Sequence, residues 1–390
     1  MRLTLAGRVS ESSLLRKRGG CRRGSRTPAA RVRPSTASSS VGPVTPAHLA
    51  DRLEKTPGPQ LPSHPAIAVW RAAASADIDA IHAVVSAADA VDHPTWTTPR
   101  QDVAEAFEST HIDPARDTLV AVTADGEIVA TGVSALHPSR AGGMLSVDLS
   151  GAVHPQWRRR GIGTALLRWL DARAQQQVAR AAQSLEGGGS EGRLKAYVEE
   201  PNTDHATILA AQGYTAERWF STMERDLAQP VTALPVPEGI SLVPYDRARD
   251  ADALAARNDA FRDHWGSLPS NEERWQQFVG GDFFRPDLSR MAVTDDGQIV
   301  AFCLASVNED DFAALGASHA YIDLIGVVRS HRKQGLAPLV IAAALEAITA
   351  EGLERAVLDV DTDSPTGANR LYEGVGFVAT HRVVAMVRRL

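Results

Sequence analysis

Between residues 66 and 71 apolar and polar side chains alternate, the period-2 pattern of a half-buried strand. Behind Ser75 the spacing turns helical through Ile78, Ile81, Val84 and Val85, with the serine placed to cap. Residues 101–109 predict a second helix, and β-rich runs at 119–123 and 128–134 flank Ala124-Asp125-Gly126-Glu127, a hairpin signal. A strand is predicted over 144–153, then a long helix to about residue 182, a flexible Gly-rich connection over 183–192, and a strand at 194–198. The succession then returns. Residues 240–244 predict a strand and 251–261 a helix, Ser270 with Glu273 predicts a capping box, and 320–328 a strand that leads into a helical run from Pro338.

The return is visible in the residues themselves. Ala121-Val-Thr-Ala-Asp-Gly-Glu-Ile-Val-Ala130 and Ala292-Val-Thr-Asp-Asp-Gly-Gln-Ile-Val-Ala301 differ at two of ten positions. The offset between copies is 171 from Gly126 to Gly297, 174 from Gly161 to Gly335 and 163 from Gly213 to Gly376, falling where the first copy holds its Gly-rich insertion. Duplication predicts this organisation: a basic tail at 1–65, a first domain at 66–228, a linker at 229–236 and a second domain at 237–390. Pro230, Pro235 and Pro237 mark the boundary.

In each copy a strand meets a helix through a short basic turn. The first turn carries Arg158, Arg159, Arg160, Gly161, Ile162 and Gly163; the second runs from Val327 and Val328 to Arg332, Lys333, Gln334, Gly335, Leu336 and Ala337. The first N–H groups of a helix have no intrahelical partner and the helix dipole is positive there, so a phosphate is stabilised. Small residues keep those N–H groups reachable, and the basic side chains add charge.

Composition narrows the function classes. A chain of 390 residues that is 44% hydrophobic can pack two domains of ordinary size. Its longest apolar run, 336–345, falls short of the roughly 20 residues of a membrane helix. No membrane partner is expected. Cys21 and Cys303 are the only cysteines, which leaves no disulfide framework and no cysteine zinc site and fits a cytoplasmic protein. Residues 1–40 carry ten Lys/Arg and one Glu, so the net charge of −6 divides into +9 for the tail and −15 for the rest. An acidic folded part argues against nucleic acid and for a cationic partner. The Arg/Ser-rich tail predicts disorder and lacks the apolar region a signal peptide needs. His205 and His331 have no partners at metal-ligand spacing, and no metal is expected. Gly187-Gly-Gly-Ser-Glu-Gly192 lacks the Gly-Lys-Ser/Thr of a nucleotide loop, and Gly161-Ile-Gly163 lacks the third glycine and distal acid of a dinucleotide fold.

Arg158-x-x-Gly161-x-Gly163 and Arg332-x-x-Gly335-x-Ala337 resemble the acetyl-CoA pyrophosphate loop of the GNAT acetyltransferases. The resemblance covers roughly residues 66–390. The tandem layout with a degenerate first half is similar to two-domain members of the mycothiol synthase type. It implies an α/β fold of two tandem acyl-CoA N-acyltransferase domains, each with a mixed, mostly antiparallel sheet flanked by helices. The implied reaction is direct transfer of acetyl from acetyl-CoA to a primary amine of a small molecule. A Tyr hydroxyl, pKa about 10, suits a departing thiolate whose thiol lies near 8.5. Tyr372 resembles the family's general acid, on a short helix with Pro365 at its start and Asn369 placed to contact CoA. The first copy has Leu209 and Ala206 at these positions, so the second copy is expected to be catalytic. Asp323 is the candidate base acting through water, or a buried structural acid, and shares a strand face with Tyr321. Backbone N–H groups near Gly326 and Val327 suit the developing oxyanion. Asp359 and Asp361, at the end of the next strand, are alternative bases or amine contacts. Asp263, His264, Trp265 and Trp275 line the acceptor pocket or belong to loop and core. The competing reading is an inactive CoA-binding or structural tandem module. Two fused copies already form a pseudo-dimer, which suggests a monomer.

Overall fold

The computed structural model describes residues 48–53, 57–93, 95–363 and 367–390. In the first copy the strands are β1 (Val69–Arg71), β2 (Thr118–Val122), β3 (Ile128–Leu136), β4 (Met144–Val153), β5 (Glu191–Glu199) and β6 (Thr215–Asp226). Its main helices are α1 (Ile78–Asp92), α2 (Arg100–Glu108), α3 (Ile162–Gln183) and α4 (Thr203–Ala210). The second copy repeats them as β7 (Ile240–Pro244), β8 (Arg290–Thr294), β9 (Ile299–Ser306), β10 (His319–Val327), β11 (Arg355–Asp361) and β12 (Val378–Arg389). Its main helices are α5 (Asp250–Ala260), α6 (Glu272–Val279), α7 (Leu336–Ala350) and α8 (Ala368–Gly374).

Strand alternation sets the layers. On β2, Val120 packs with Ile81, Val84 and Val85 of α1, whereas its neighbours Leu119 and Ala121 pack with Leu166 and Leu170 of α3. Successive strand residues face opposite sides, so these two helices cover opposite faces of the sheet. The second copy does the same: Met291 and Val293 of β8 join the α5 layer, and Ala292 between them joins the α7 layer.

The two expected sheets are joined edge to edge into one of 12 strands, ordered β1-β2-β3-β4-β5-β12-β6-β11-β10-β9-β8-β7. The last strand of each copy has crossed over. β12 pairs with β5 of the first copy, and β6 pairs with β11 of the second. β6 and β12 then pair antiparallel with each other, with Phe220 opposite Val383. Those residues are 163 apart, the offset between Gly213 and Gly376, so a pseudo-twofold axis passes between them.

Two local expectations change. The cap of α6 is Asn271, whose side chain accepts from the N–H of Arg274 at 3.1 Å; Ser270 is not the cap, and Glu273 reaches away to Thr110. α8 begins behind Gly367, and Pro365, proposed as its start, lies outside the described residues. The stretch 1–47 of the tail also lies outside them. Beyond it, a short helix at Leu49–Leu53 buries Leu49 and Leu53 in the first copy's core, against α3 and the Gly-rich insertion.

β4 and β5 run parallel and stay paired as far as Asp148 and Lys195, directly opposite each other, then separate. The Lys195 ammonium is buried 3.1 Å from the Asp148 carboxylate. Burial opposes its charge, but Asp148 and Tyr197 outweigh that and hold it above its ordinary 10.5. Lys195→Met leaves a carboxylate without its cation and is expected to cost about 3 kcal/mol in urea denaturation, with Asp148→Leu on top recovering most of it. Because the folded value is raised, this stabilisation is complete below pH about 10.5 and fades as pH rises beyond it.

Candidate active site

The two basic turns follow one backbone path. Arg158 and Arg332 are extended, the next residues Arg159 and Lys333 take positive φ (61° and 66°), and Gly161 and Gly335 are left-handed at the helix start. No described side chain caps α3 or α7, which leaves their first N–H groups without a side-chain partner among the described residues. Each leading arginine is fixed within its own copy. Arg158 donates to the Val153 carbonyl and forks onto Asp92, while Arg332 donates to the Val327 and Ala260 carbonyls beside Asp263. Asp92 and Asp263 are themselves 171 apart.

The turns differ in what surrounds them. In the first, Arg159 pairs with Asp204, Arg160 stacks over Trp157, and His64 from the leader holds the Arg160 carbonyl at 2.6 Å. A Cβ on Gly161 would lie 3.7 Å from that imidazole. In the second, Lys333, Gln334 and Gly335 are exposed, Lys333 forms no ion pair with a described residue, and nothing lies within 4 Å of a Cβ on Gly335. Leu336 anchors the helix start in the core, with Val327, Val328 and Ala337 half-buried around it. The second turn is thus open to solvent from Lys333 to Gly335.

β10 and β11 are parallel and paired only as far as Tyr321 and Val357. Beyond that point β10 opens, and on its other side the register with β9 shifts between Ile322 and Leu324. Asp323 is therefore the extra residue of a β-bulge, a device that aims a side chain and frees backbone groups from the ladder. β4, its counterpart, pairs with β3 without a shift. Further along, Gly326 lies under Phe302, and a Cβ there would come 2.3 Å from the ring, so only glycine fits.

Tyr372 is fully buried in the second copy's core, its ring edge-on to Phe377 at 6.1 Å, and Leu209 is equally buried in the first. The Asn369 amide donates to the Asp361 and Thr362 carbonyls, closing the end of β11. Tyr321 and Asp323 line different cavities. The Tyr321 hydroxyl donates to Asp359 at 2.7 Å, and Thr222 donates to the same carboxylate. Asp361 accepts from the Asp363 N–H, and burial raises its pKa.

Asp323 instead borders a cavity of ≈ 190 Å³ astride the pseudo-twofold axis. His111, Ala135 and Asp148 enter it from the first copy, and Arg274, Asp282 and Asp323 from the second. The copies are stitched at its rim: both the N–H and the hydroxyl of Thr110 donate to Glu273 (2.7 and 2.5 Å), and Gln277 donates to Ser109 at 3.0 Å. A second cavity, ≈ 790 Å³, opens beside the first turn and is lined by Arg158, Gly161, Glu199, His205 and Leu209. His205 faces this second cavity; His111 carries no motif and escapes sequence reasoning. Trp275 belongs to the core, Trp265 donates to Glu217, His264 packs on Phe261, and Asp263 serves Arg329 and Arg332. No cluster of three metal-ligating side chains occurs among the described residues, and no described helix is long and apolar enough to cross a membrane.

Comparison with known proteins agrees with the duplication. The profile described as "Acetyltransferase (GNAT) family" matches residues 251–377, and "Acetyltransferase (GNAT) domain" matches 115–207. A mycothiol acetyltransferase of Thermobispora bispora is 32% identical over 234 residues, 58% of this chain and 70% of that protein. One from Salinispora tropica is 30% identical over 266 residues, 66% of this chain and 77% of its own. A GCN5-related N-acetyltransferase from Sphaerobacter thermophilus superposes with a TM-score of 0.59 at 26% identity, covering 82% of this chain and 95% of the other. A tandem GNAT protein from the clavulanic acid biosynthesis pathway shares the fold, with a TM-score of 0.58 at 18% identity over 82% of this chain and 98% of its own.

Proposed function

The chain belongs to the GNAT acetyltransferase family, and from that premise we propose that it moves the acetyl group of acetyl-CoA onto a primary amine of a small molecule, with the chemistry in its second copy. Of the two readings open in the sequence, the enzyme is the one its relatives support. The observation that carries the choice of copy is the β-bulge at Asp323, without a counterpart in β4. The exposed second turn, whose Lys333 forms no ion pair among the described residues, and Tyr372 where the first copy has Leu209, point the same way.

The co-substrate supplies an acyl group already activated as a thioester. The residues do the rest. The N–H groups of α7 and Lys333 receive the pyrophosphate. The gap between β10 and β11 admits the thioester arm, and freed backbone N–H groups around the bulge face the developing oxyanion. Tyr372 protonates the departing thiolate from a site shielded from bulk water. Asp323 draws the acceptor's ammonium into the cavity between the copies. The first copy keeps a cavity of ≈ 790 Å³ beside its turn, and it binds CoA without turnover or serves as scaffold.

Thiol release from acetyl-CoA against a panel of amines tests the reading. Because the relatives are named for mycothiol, its desacetyl form heads the panel, followed by an aminoglycoside and a polyamine. Amine-dependent release is expected; CoA binding without release for any amine would overturn the proposal.

A further inference from the structure

The first copy lacks the bulge and the tyrosine, yet it forms half the wall of the cavity that receives Asp323. Its contributions are mostly ordinary counterparts of second-copy residues: Ala135 answers Ser306 and Ala106 answers Gln277, each 171 apart. One pair sets an imidazole against a carboxylate. At the place of Asp282 in the second copy, the first copy presents His111.

We infer that His111 of the first copy is the base of the second copy's reaction, taking the proton that the acceptor's ammonium must lose before its nitrogen can attack the thioester carbonyl. This rests on the acceptor entering the inter-copy cavity, as proposed above. His111 lines that cavity, and its Nδ1 is buried without a hydrogen-bond partner among the described residues, a ring nitrogen not consumed by the fold. The two residues just before it are clamped to the second copy. Thr110 is clamped by Glu273, Ser109 by Gln277, and both clamping residues lie on α6, the helix that also carries Arg274 into the cavity. A general base needs such fixed placement within reach of the proton.

The electrostatics agree. Burial, then Arg274, push the imidazole below its ordinary 6.5; Glu273 and Asp117 pull it up, and Arg140 pushes it down. His137, itself driven to about 2 by burial and nearby cations, adds no charge at neutral pH. His111 is therefore a neutral acceptor at pH 7. The step balances: the ammonium N–H bond breaks, the proton passes to the imidazole, and the nitrogen lone pair is freed. The imidazolium then loses its proton to water before the next turnover.

The test uses the full-length protein, acetyl-CoA and the best amine of the panel, with His111→Gln, His111→Ala and Ala135→Phe alongside. His111→Gln is expected to lower kcat/KM for the amine about 10²-fold at pH 7. Only free amine then reacts, so the deficit should shrink as pH rises toward the amine's own pKa, while KM for acetyl-CoA holds. Added imidazole should restore part of the His111→Ala rate. A loss of equal size at every pH without imidazole rescue, or no loss, overturns the role of His111. Ala135→Phe separates the layers of the argument, since it fills the cavity and should raise KM for the amine. If it does so while His111→Gln is silent, the cavity stands and the base is elsewhere; if both are silent, the acceptor site is elsewhere and both readings fall. Thermal melts of each variant exclude unfolding as the cause.

Discussion

Tyr372→Phe is expected to lower kcat about 10²-fold while leaving the affinity for acetyl-CoA and the melting temperature nearly unchanged. The ring is wholly buried, so phenylalanine fills the same volume against Phe377 and the loss is confined to one hydroxyl. Positioned acids contribute roughly 10²–10⁴ in rate, and a thiolate leaving in a dry site has no water to turn to. The effect should fall on kcat, since the interaction strengthens only as the sulfur gains charge. Stopped assays of thiol release with isothermal titration of CoA on the same preparations decide it. Equal turnover for both proteins would remove Tyr372 from the mechanism.

The second large effect concerns the two turns. Gly335→Glu sets a carboxylate and a strained left-handed residue where the pyrophosphate is proposed to lie, and should reduce kcat/KM for acetyl-CoA by at least about 10²-fold, roughly 3 kcal/mol. Gly335→Asn, which tolerates that backbone better, serves as the folding control and should keep much of the activity. Gly161→Glu should leave most turnover intact, because the first turn is already covered by His64 and its Arg159 is paired with Asp204. A silent Gly335→Glu beside a silencing Gly161→Glu would assign catalysis to the first copy.

Much of the fold was legible because its signals are local. The strand expected over 144–153 is β4 residue for residue, and both basic turns lie between strand and helix as their spacing implies. Neighbouring residues compete for local roles: Ser270 and Asn271 both can cap, and the amide sits one residue nearer the first turn. The leader's Leu49 and Leu53 make a helix too short to stand out from its polar surroundings. Asp323 was visible as an acid on a strand, but its bulge depends on pairing with β9. His111 has no local signature at all, since its significance comes from a helix more than 150 residues away. Nor could the strand order be read. β6 and β12 descend from one sequence, so each offers the other copy's sheet nearly the edge it offers its own.

That crossover bears on descent. Placed on two separate chains, the same arrangement is a homodimer in which each subunit lends its last strand to the other, with Phe220 and Val383 standing for one residue on the symmetry axis. Joining the ends through the short stretch between β6 and β7 would need no new packing, and it makes a second-order encounter an intramolecular one. A homodimer must mutate both of its sites at once. After fusion each copy drifts alone, so Leu209 and Tyr372, or His111 and Asp282, become different residues at one ancestral position, and the heirs of a single site divide its labour between them.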